Sequence, residues 1–95
     1  MAAYIIVDVK IKDPQAYERY KTLTPGSLAA YGGRFVVRGG STEVLEGPRQ
    51  PGRVVVLEFD TAERARAWWS SEEYREAKAL RQRIADTSMI LVEGV

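Results

Sequence analysis

The sequence predicts an α+β domain with the element order β-α-β-β-α-β, the ferredoxin-like arrangement in which a four-stranded antiparallel sheet carries its helices on one face. Three observations support this prediction. Four segments have the composition of strands, two regions have helical periodicity, and glycine-rich turns flank the central strands. With 95 residues, the chain is expected to form a single domain over residues 1–95.

The N-terminal region predicts one strand followed by one helix. Tyr4 to Ile11 alternates β-branched and aromatic residues, which is typical of a strand. Asp13-Pro14 supplies an N-cap acceptor followed by proline at the first helical position, so a helix is expected to start there. We expect Thr24-Pro25-Gly26 to break or kink this helix. Its predicted buried stripe consists of Tyr17, Tyr20, Thr24, Leu28 and Tyr31.

The central region predicts two strands joined by a long turn-rich segment. Gly32-Gly33 leads into a strand at Arg34 to Arg38, and a further strand is expected at Arg53 to Phe59. Between them, Thr42 to Glu46 is a candidate for a short additional strand, and the following GPRQPG is expected to be an exposed loop.

The C-terminal region predicts a helix in two pieces and a closing strand. Asp60-Thr61-Ala62-Glu63 is a capping signal that opens the first piece, and Ser70-Ser71-Glu72-Glu73 repeats it. The second piece is expected to end near Ile84, with Tyr74, Ala77, Leu80 and Ile84 as its apolar line. Met89 to Glu93 is the predicted last strand.

The predicted sheet is apolar on both faces, which points to self-association. Alternation places Ile5, Val7, Val9, Phe35, Val37, Val55, Leu57 and Phe59 on one face. It places Tyr4, Ile6, Val36, Val54, Val56, Met89 and Leu91 on the other. Alternation leaves open which face meets the helices, but they can cover only one. The uncovered face would expose a large apolar patch, so a homodimer with sheet packed against sheet is expected.

Composition excludes several classes of function. There is no Cys and no His, which removes thiolate and histidine catalysis and the usual zinc ligands, so we do not expect a metal. Any catalysis would use carboxylates, Tyr, Arg, Lys, backbone groups or a bound organic cofactor, and we expect no cofactor. Lys and Arg total 14 against 13 for Asp and Glu, which argues against a nucleic-acid partner. The apolar runs are too short to cross a membrane, and no basic secretory start is present, so a cytoplasmic location is expected.

Asp8, Arg38 and Glu58 are charged residues inside otherwise apolar strands, and regular alternation places all three on the second face. Buried charges must pair or meet a ligand. One interpretation is a pocket in which a carboxylate and an arginine hold an anionic or carbonyl substrate. The alternative, which ion-pair statistics favour, is a structural ion pair or exposure near strand ends.

Aromatic residues complete the candidate pocket. Trp68 and Trp69 are adjacent, so only one can face inward, while the other is expected to cap a groove or lie at an interface. Tyr74 lies near the same break between the two helical pieces, and aromatic residues at this spacing usually belong to the core. Tyr17, Tyr20 and Tyr31 are candidates for hydrogen-bonding a ligand carbonyl or acting as an acid, although most such tyrosines only satisfy backbone acceptors. Arg83 is the residue of the basic second helix that we expect to reach back toward the sheet.

Several motifs together resemble the domain-of-unknown-function family DUF1330 of the dimeric α/β-barrel superfamily. They are GGRFVVRGG, EVLEG, RVVVLEF and AWWSSEEY, in this order, and the resemblance runs to the closing LVEG. It implies the ferredoxin-like fold and a homodimer, without an established reaction. The chain departs from the family pattern at PRQP, where an aromatic residue would be expected before the second proline.

Two kinds of function are therefore predicted. The first is a homodimeric protein that binds a small organic molecule between sheet and helices. The second, which the resemblance to the dimeric α/β-barrel superfamily suggests by analogy, is a cofactor-independent monooxygenase or isomerase acting on an aromatic or lactone. In it Asp8 or Glu58 would act as base, and Arg38 or a tyrosine would stabilise the oxyanion. A purely structural or regulatory dimer is a third alternative.

Overall fold

The computed structural model describes all 95 residues and confirms the predicted ferredoxin-like order. Four strands and three helices make up the fold. They are β1 (Ala3–Ile11), α1 (Pro14–Ala30), β2 (Arg34–Arg38), β3 (Arg53–Phe59), α2 (Ala62–Trp69), α3 (Glu72–Ile84) and β4 (Ala85–Glu93). The strands form one antiparallel sheet in the order β2-β3-β1-β4. The three helices cover one face of this sheet.

Burial shows which face the helices cover. On β1 the residues Ile5, Val7 and Val9 are buried, whereas Ile6 and Lys10 are exposed. The core combines this strand face with Leu57 and Phe59 of β3 and with apolar residues of all three helices. We call the opposite side, which no helix covers, the open face.

Pairing of β4 with β1 corrects the predicted position of two residues. Leu91 lies opposite Ile5 and Met89 opposite Val7, so both are on the helix-covered face and not on the second face. Ile90 takes the open-face position instead, opposite Ile6. The prediction was wrong because strand parity says which residues of one strand share a face but does not fix the register with the next strand.

A β-bulge in β2 overturns the predicted placement of Arg38 and Val37. Phe35 pairs with Leu57, but Val37 pairs with Val56 and Arg38 with Val55, so the register shifts by one residue. An extra residue in one strand reverses the alternation that follows it. Val37 therefore lies on the open face, and Arg38 lies on the helix-covered side.

Helix α1 continues through Pro25, so the predicted break is not observed. Its N-cap is as expected, because the Asp13 side chain accepts a hydrogen bond from the Ala16 N–H at 3.1 Å. Proline has no N–H, which leaves the carbonyl four residues earlier, that of Lys21, without its helical donor. The Arg38 guanidinium donates to this carbonyl at 3.1 Å. A residue of β2 thus replaces the helical bond that proline removes.

The predicted division of the second helical region is confirmed. The Thr61 side chain caps α2 by accepting from the Arg64 N–H, and Ser71 caps α3 by accepting from the Tyr74 N–H. Ser71 Oγ also donates to the Trp68 carbonyl at 2.7 Å, which joins the end of α2 to the start of α3.

Two boundaries differ from the sequence prediction. Thr42 to Glu46 is not a strand and belongs to the exposed connection between β2 and β3. Strand β4 begins at Ala85, directly after α3, and not at Met89. Asp86 and Ser88, near the start of β4, lie on the open face and are polar. This part of the strand therefore lacks the apolar residues from which a strand is predicted. No helix combines the length and the apolar character needed to cross a bilayer.

The contact between Arg38 and Lys21 generates a prediction about stability. Replacing Arg38 by Met should lower the free energy of unfolding by about 0.5–1 kcal/mol, because the Lys21 carbonyl loses its donor. In a Pro25→Ala background the same change should cost much less, because the alanine supplies a backbone N–H that bonds this carbonyl. Urea denaturation of the four proteins measures this coupling. Equal costs in both backgrounds would contradict the assigned role of Arg38.

Candidate functional site

A small cavity between the sheet and α1 gathers most of the polar groups on the helix-covered side. It has a volume of about 30 Å³ and lies toward the β2 edge of the sheet. Val7 and Val9 of β1 and Val55 and Leu57 of β3 line it on the sheet side. Its polar lining residues are Tyr17, Tyr20, Lys21, Thr24, Arg38 and Arg53. We call it the arginine cavity.

Arg53 is the most unusual residue of the arginine cavity. Its Nε is buried, and no protein atom accepts a hydrogen bond from it. The guanidinium lies against the Cα of Gly39 and is 5.6 Å from the ring centre of Tyr17. Gly39 has φ +70°, a backbone conformation that favours glycine, and the Arg53 guanidinium occupies the space where a Cβ would lie.

Arg38 stands at the mouth of the same cavity because of the bulge in β2. Its guanidinium lies 4.1 Å from the centre of the Phe35 ring, and its hydrogen bond to the Lys21 carbonyl holds it toward α1. Neither Arg38 nor Arg53 forms an ion pair with a carboxylate, whereas Lys21 pairs with Glu18 at 2.7 Å. The mouth of the cavity therefore has an uncompensated positive charge.

A buried aromatic and hydroxyl network closes the inner end of the cavity. Trp68 is fully buried, stacks on Tyr74 at 4.0 Å between ring centres, and donates from Nε1 to Ser27 Oγ at 3.0 Å. The Tyr74 and Tyr20 hydroxyls share a hydrogen bond of 2.7 Å. Arg81 Nε donates to the Tyr74 hydroxyl at 3.3 Å.

Burial sets the protonation of this network. Burial, followed by the neighbouring Tyr74 hydroxyl, raises the pKa of Tyr20 well above its usual value. Burial and the nearby Tyr20 likewise raise the pKa of Tyr17, against a smaller opposing effect of Arg53. Burial lowers the pKa of Arg81, but the hydroxyls of Tyr74 and Tyr20 together raise it by more. Tyr17 and Tyr20 are therefore neutral and Arg81 is charged at neutral pH.

The predicted pocket residues do not all surround one cavity. Arg38 and Trp68 line the arginine cavity, and Tyr74 lies directly behind it. Tyr31 is half-buried and donates to Glu73 at 3.0 Å on the outer side, where this hydrogen bond raises the pKa of Tyr31. Arg83 is exposed and takes part in no ion pair.

The two strand carboxylates lie on the open face, away from the cavity. Asp8 accepts from the Gly52 N–H at 2.8 Å and pairs with Arg49 at 3.1 Å. Glu58 pairs with Arg34 at 2.6 Å and accepts from the Tyr4 hydroxyl, a bond that raises the pKa of Tyr4. Asp8 and Glu58 each form an ion pair within the protein, as in the structural alternative to a ligand site.

Arg53 and Arg81 were not predicted as site residues, although strand parity and helical spacing indicate that they face the helix-covered side. Arg53 has the same strand parity as Val55 and Leu57, which places it on the buried face at the start of β3. Arg81 follows Tyr74 and Ala77 at steps of seven and four, so helical spacing places it on the buried stripe of α3. Both were passed over because charged residues are rarely buried.

The protein-family comparison identifies the chain. The model of the domain of unknown function DUF1330 matches residues 2–95. The chain belongs to the DUF1330 family. No curated protein matches it significantly. Membership in DUF1330 agrees with the resemblance carried by the sequence motifs and assigns no reaction.

Solved structures support the fold. A protein of unknown function from Rhodopseudomonas palustris is 20% identical, with 99% of this chain and 82% of that chain covered and a TM-score of 0.80. SnoaB, a cofactor-independent oxygenase from Streptomyces nogalater, is 12% identical over 99% and 93% of the two chains, with a TM-score of 0.67. A dimeric ferredoxin-like protein of unknown function from Thermobifida fusca is 18% identical over 99% and 92%, with a TM-score of 0.61. At these identities the similarity establishes the fold alone.

The raised pKa of Tyr20 generates a prediction about alkaline stability. Below pH 10 Tyr20 is protonated in both states, so its ionisation does not affect the free energy of unfolding. Above pH 10 the unfolded state loses this proton and the folded state keeps it, so stability should fall as pH rises, by up to about 1.4 kcal/mol per pH unit.

Comparison of the wild type with Tyr20→Phe isolates this contribution. The variant should be less stable at pH 7, because the hydrogen bond to Tyr74 is lost, but its stability should decline less steeply above pH 10. Urea denaturation at a series of pH values measures both slopes. Parallel slopes would show that Tyr20 ionises equally easily in the two states.

Proposed function

We propose that this DUF1330 protein is a homodimer that binds a small anionic organic molecule, with the anionic group of the ligand in the arginine cavity. The observation that carries the proposal is the buried Arg53 Nε, which has no protein acceptor and lies in the wall of a cavity. A buried donor without a partner costs free energy that a bound acceptor recovers. Carboxylates suit arginine because two parallel N–H groups can bind both oxygens.

The size and lining of the cavity define the ligand class. One water needs about 10–15 Å³ of such space, so about 30 Å³ accommodates a group of the size of a carboxylate and no complete large ligand. The rest of the ligand would lie at the mouth, where Phe35 offers an apolar surface and Arg38 adds a second positive charge. Small carboxylates with an apolar body fit this description.

Binding is favoured over the enzymatic alternative by the titratable groups present. Asp8 and Glu58, the bases of the monooxygenase or isomerase hypothesis, lie on the other side of the sheet from the cavity. Within the cavity the groups that could accept a proton are tyrosine hydroxyls, and burial raises the pKa of Tyr17 and Tyr20. Neutral hydroxyls donate hydrogen bonds to a ligand but do not act as bases near pH 7.

Self-association is supported by the open face. Its central positions are occupied by apolar side chains, and Ile90 is 56% exposed while Ile6 next to it is 38% exposed. The strand carboxylates Asp8 and Glu58 on this face are already paired with arginines, so these two do not oppose contact with a second sheet. The similar ferredoxin-like protein from Thermobifida fusca is described as dimeric, which is consistent with self-association. Packing two open faces together would bury an apolar surface that a monomer exposes to water.

Benzoate is the probe for the arginine cavity. The change Arg53→Met should weaken benzoate binding by about tenfold or more, because the charged donor at the carboxylate is lost while a side chain of similar length remains. Calorimetry and an NMR titration of backbone amides measure the effect. Arg49→Met, four residues earlier on the open face, is the matched control and should bind as the wild type does. Equal affinity for neutral benzamide, or equal Kd values for both variants, would contradict the proposal.

A charge on the open face should disrupt the dimer. Ile90→Lys places an ammonium group in the predicted sheet-to-sheet interface, where its desolvation is unfavourable. Size-exclusion chromatography with light scattering should show a monomer for this variant and a dimer for the wild type. Ala79→Lys on the exposed side of α3 is the control that should remain dimeric. A monomeric wild type at micromolar concentration would refute the sheet packing.

A further inference from the structure

A second cleft lies between α2, α3 and β4, at the opposite edge of the sheet from the arginine cavity. Its volume is about 580 Å³, which falls within the range of roughly 300–1,000 Å³ typical of small-molecule sites. Ile5, Met89 and Leu91 contribute its apolar floor, and Trp69 and Arg81 contribute to its walls. We call this cleft the β4 groove. It opens on the helix side of the sheet, so packing of two open faces would leave it accessible.

Arg81 is a buried cation whose protein partners do not neutralise it. The residue is only 4% exposed, yet it belongs to none of the ion pairs in the structure. Its side chain makes one hydrogen bond, from Nε to the Tyr74 hydroxyl at 3.3 Å. The two terminal nitrogens of the guanidinium form no hydrogen bond to the protein and are not fully enclosed, so they are accessible from the groove. A guanidinium has five N–H donors, so Arg81 keeps hydrogen-bonding capacity that an anion in the groove can use.

Two further features of the β4 groove favour an anion. Thr87 Oγ1, on the groove-facing side of β4, is buried and has no hydrogen-bond partner in the protein. Arg66 adds a second positive charge, and no acidic residue lines the groove. Polar groups that can bind oxygen atoms therefore converge in a groove that is otherwise largely apolar.

Trp69 gives the groove a flat aromatic wall. Unlike the buried Trp68, it is 43% exposed, and the Lys78 ammonium group lies 3.8 Å from the centre of its ring. Lys78 also donates to the Trp69 carbonyl at 2.9 Å, so the position of the tryptophan is held from outside the groove. Aromatic side chains stack well on planar ligands.

We propose that the β4 groove is a second binding site, selective for a planar aromatic carboxylate. Arg81 binds the carboxylate, Thr87 contributes a hydroxyl contact, and the aromatic body lies against Trp69, Met89 and Leu91. This site shares no lining residue with the arginine cavity apart from Met89, and its assignment does not depend on the function proposed for that cavity.

The test uses the full chain and 2-naphthoate as the probe. The protein has two tryptophans, so an NMR spectrum resolves two indole N–H signals, and the probe should shift that of Trp69 more than that of Trp68. Arg81→Met should weaken the Kd from calorimetry by about ten- to a hundredfold, because a charged hydrogen bond is lost. Arg75→Met, on the exposed side of the same helix, is the control and should leave the Kd unchanged.

Thr87→Val keeps the test decisive if Arg81→Met does not fold. Valine has the shape of threonine without the hydroxyl, so the fold should be at least as stable while 2-naphthoate binds about three- to tenfold more weakly. Arg53→Met should not affect this binding, which separates the groove from the arginine cavity. Failure of 2-naphthoate to bind the wild type, equal binding of neutral 2-naphthamide, or an unchanged Kd in Thr87→Val would overturn the proposal.

Discussion

The packing of all three helices against the sheet depends on the burial of Trp68. This indole stacks on Tyr74 of α3, lies 5.7 Å from the ring of Phe59 in β3, and donates to Ser27 of α1. A large side chain with partners on every adjacent element has only one orientation that satisfies them all. It also fixes Tyr74, whose hydroxyl lies between the arginine cavity and the β4 groove. The same aromatic pair therefore forms both the centre of the core and the partition between the two clefts.

Local signals predicted the fold well, and the errors arose where distant residues act. The caps at Asp13 and Ser71 could be identified because a few neighbouring residues determine them. Pro25 was expected to interrupt α1, but Arg38 supplies the missing donor from the following strand, 17 residues beyond the carbonyl that accepts it. Sequence rules that consider only neighbouring residues cannot predict this contact. The register of β4 likewise depends on pairing with β1, which alternation within one strand cannot specify.

The candidate site was less predictable than the fold because two of the three charged residues that stand out in the strands lie on the side of the sheet opposite the clefts. Asp8 and Glu58 were conspicuous in apolar strands, yet loop and strand arginines pair with both on the open face. Arg53 and Arg81 matter more to the clefts, and parity or helical spacing indicated their burial. What the sequence could not show is that neither has a carboxylate partner, since ion pairing depends on the three-dimensional arrangement of the whole chain.

The bulge in β2 makes the length of that strand as important as its composition. Phe35 and Arg38 reach the same side of the sheet only because one additional residue lies between them. Loss of a single residue there would restore regular pairing without changing the types of the remaining residues. Each side chain of β2 after the deletion would then face the opposite side of the sheet. Among relatives, a one-residue gap at this point would therefore distinguish chains that keep an arginine at the cavity mouth from chains that present it on the open face.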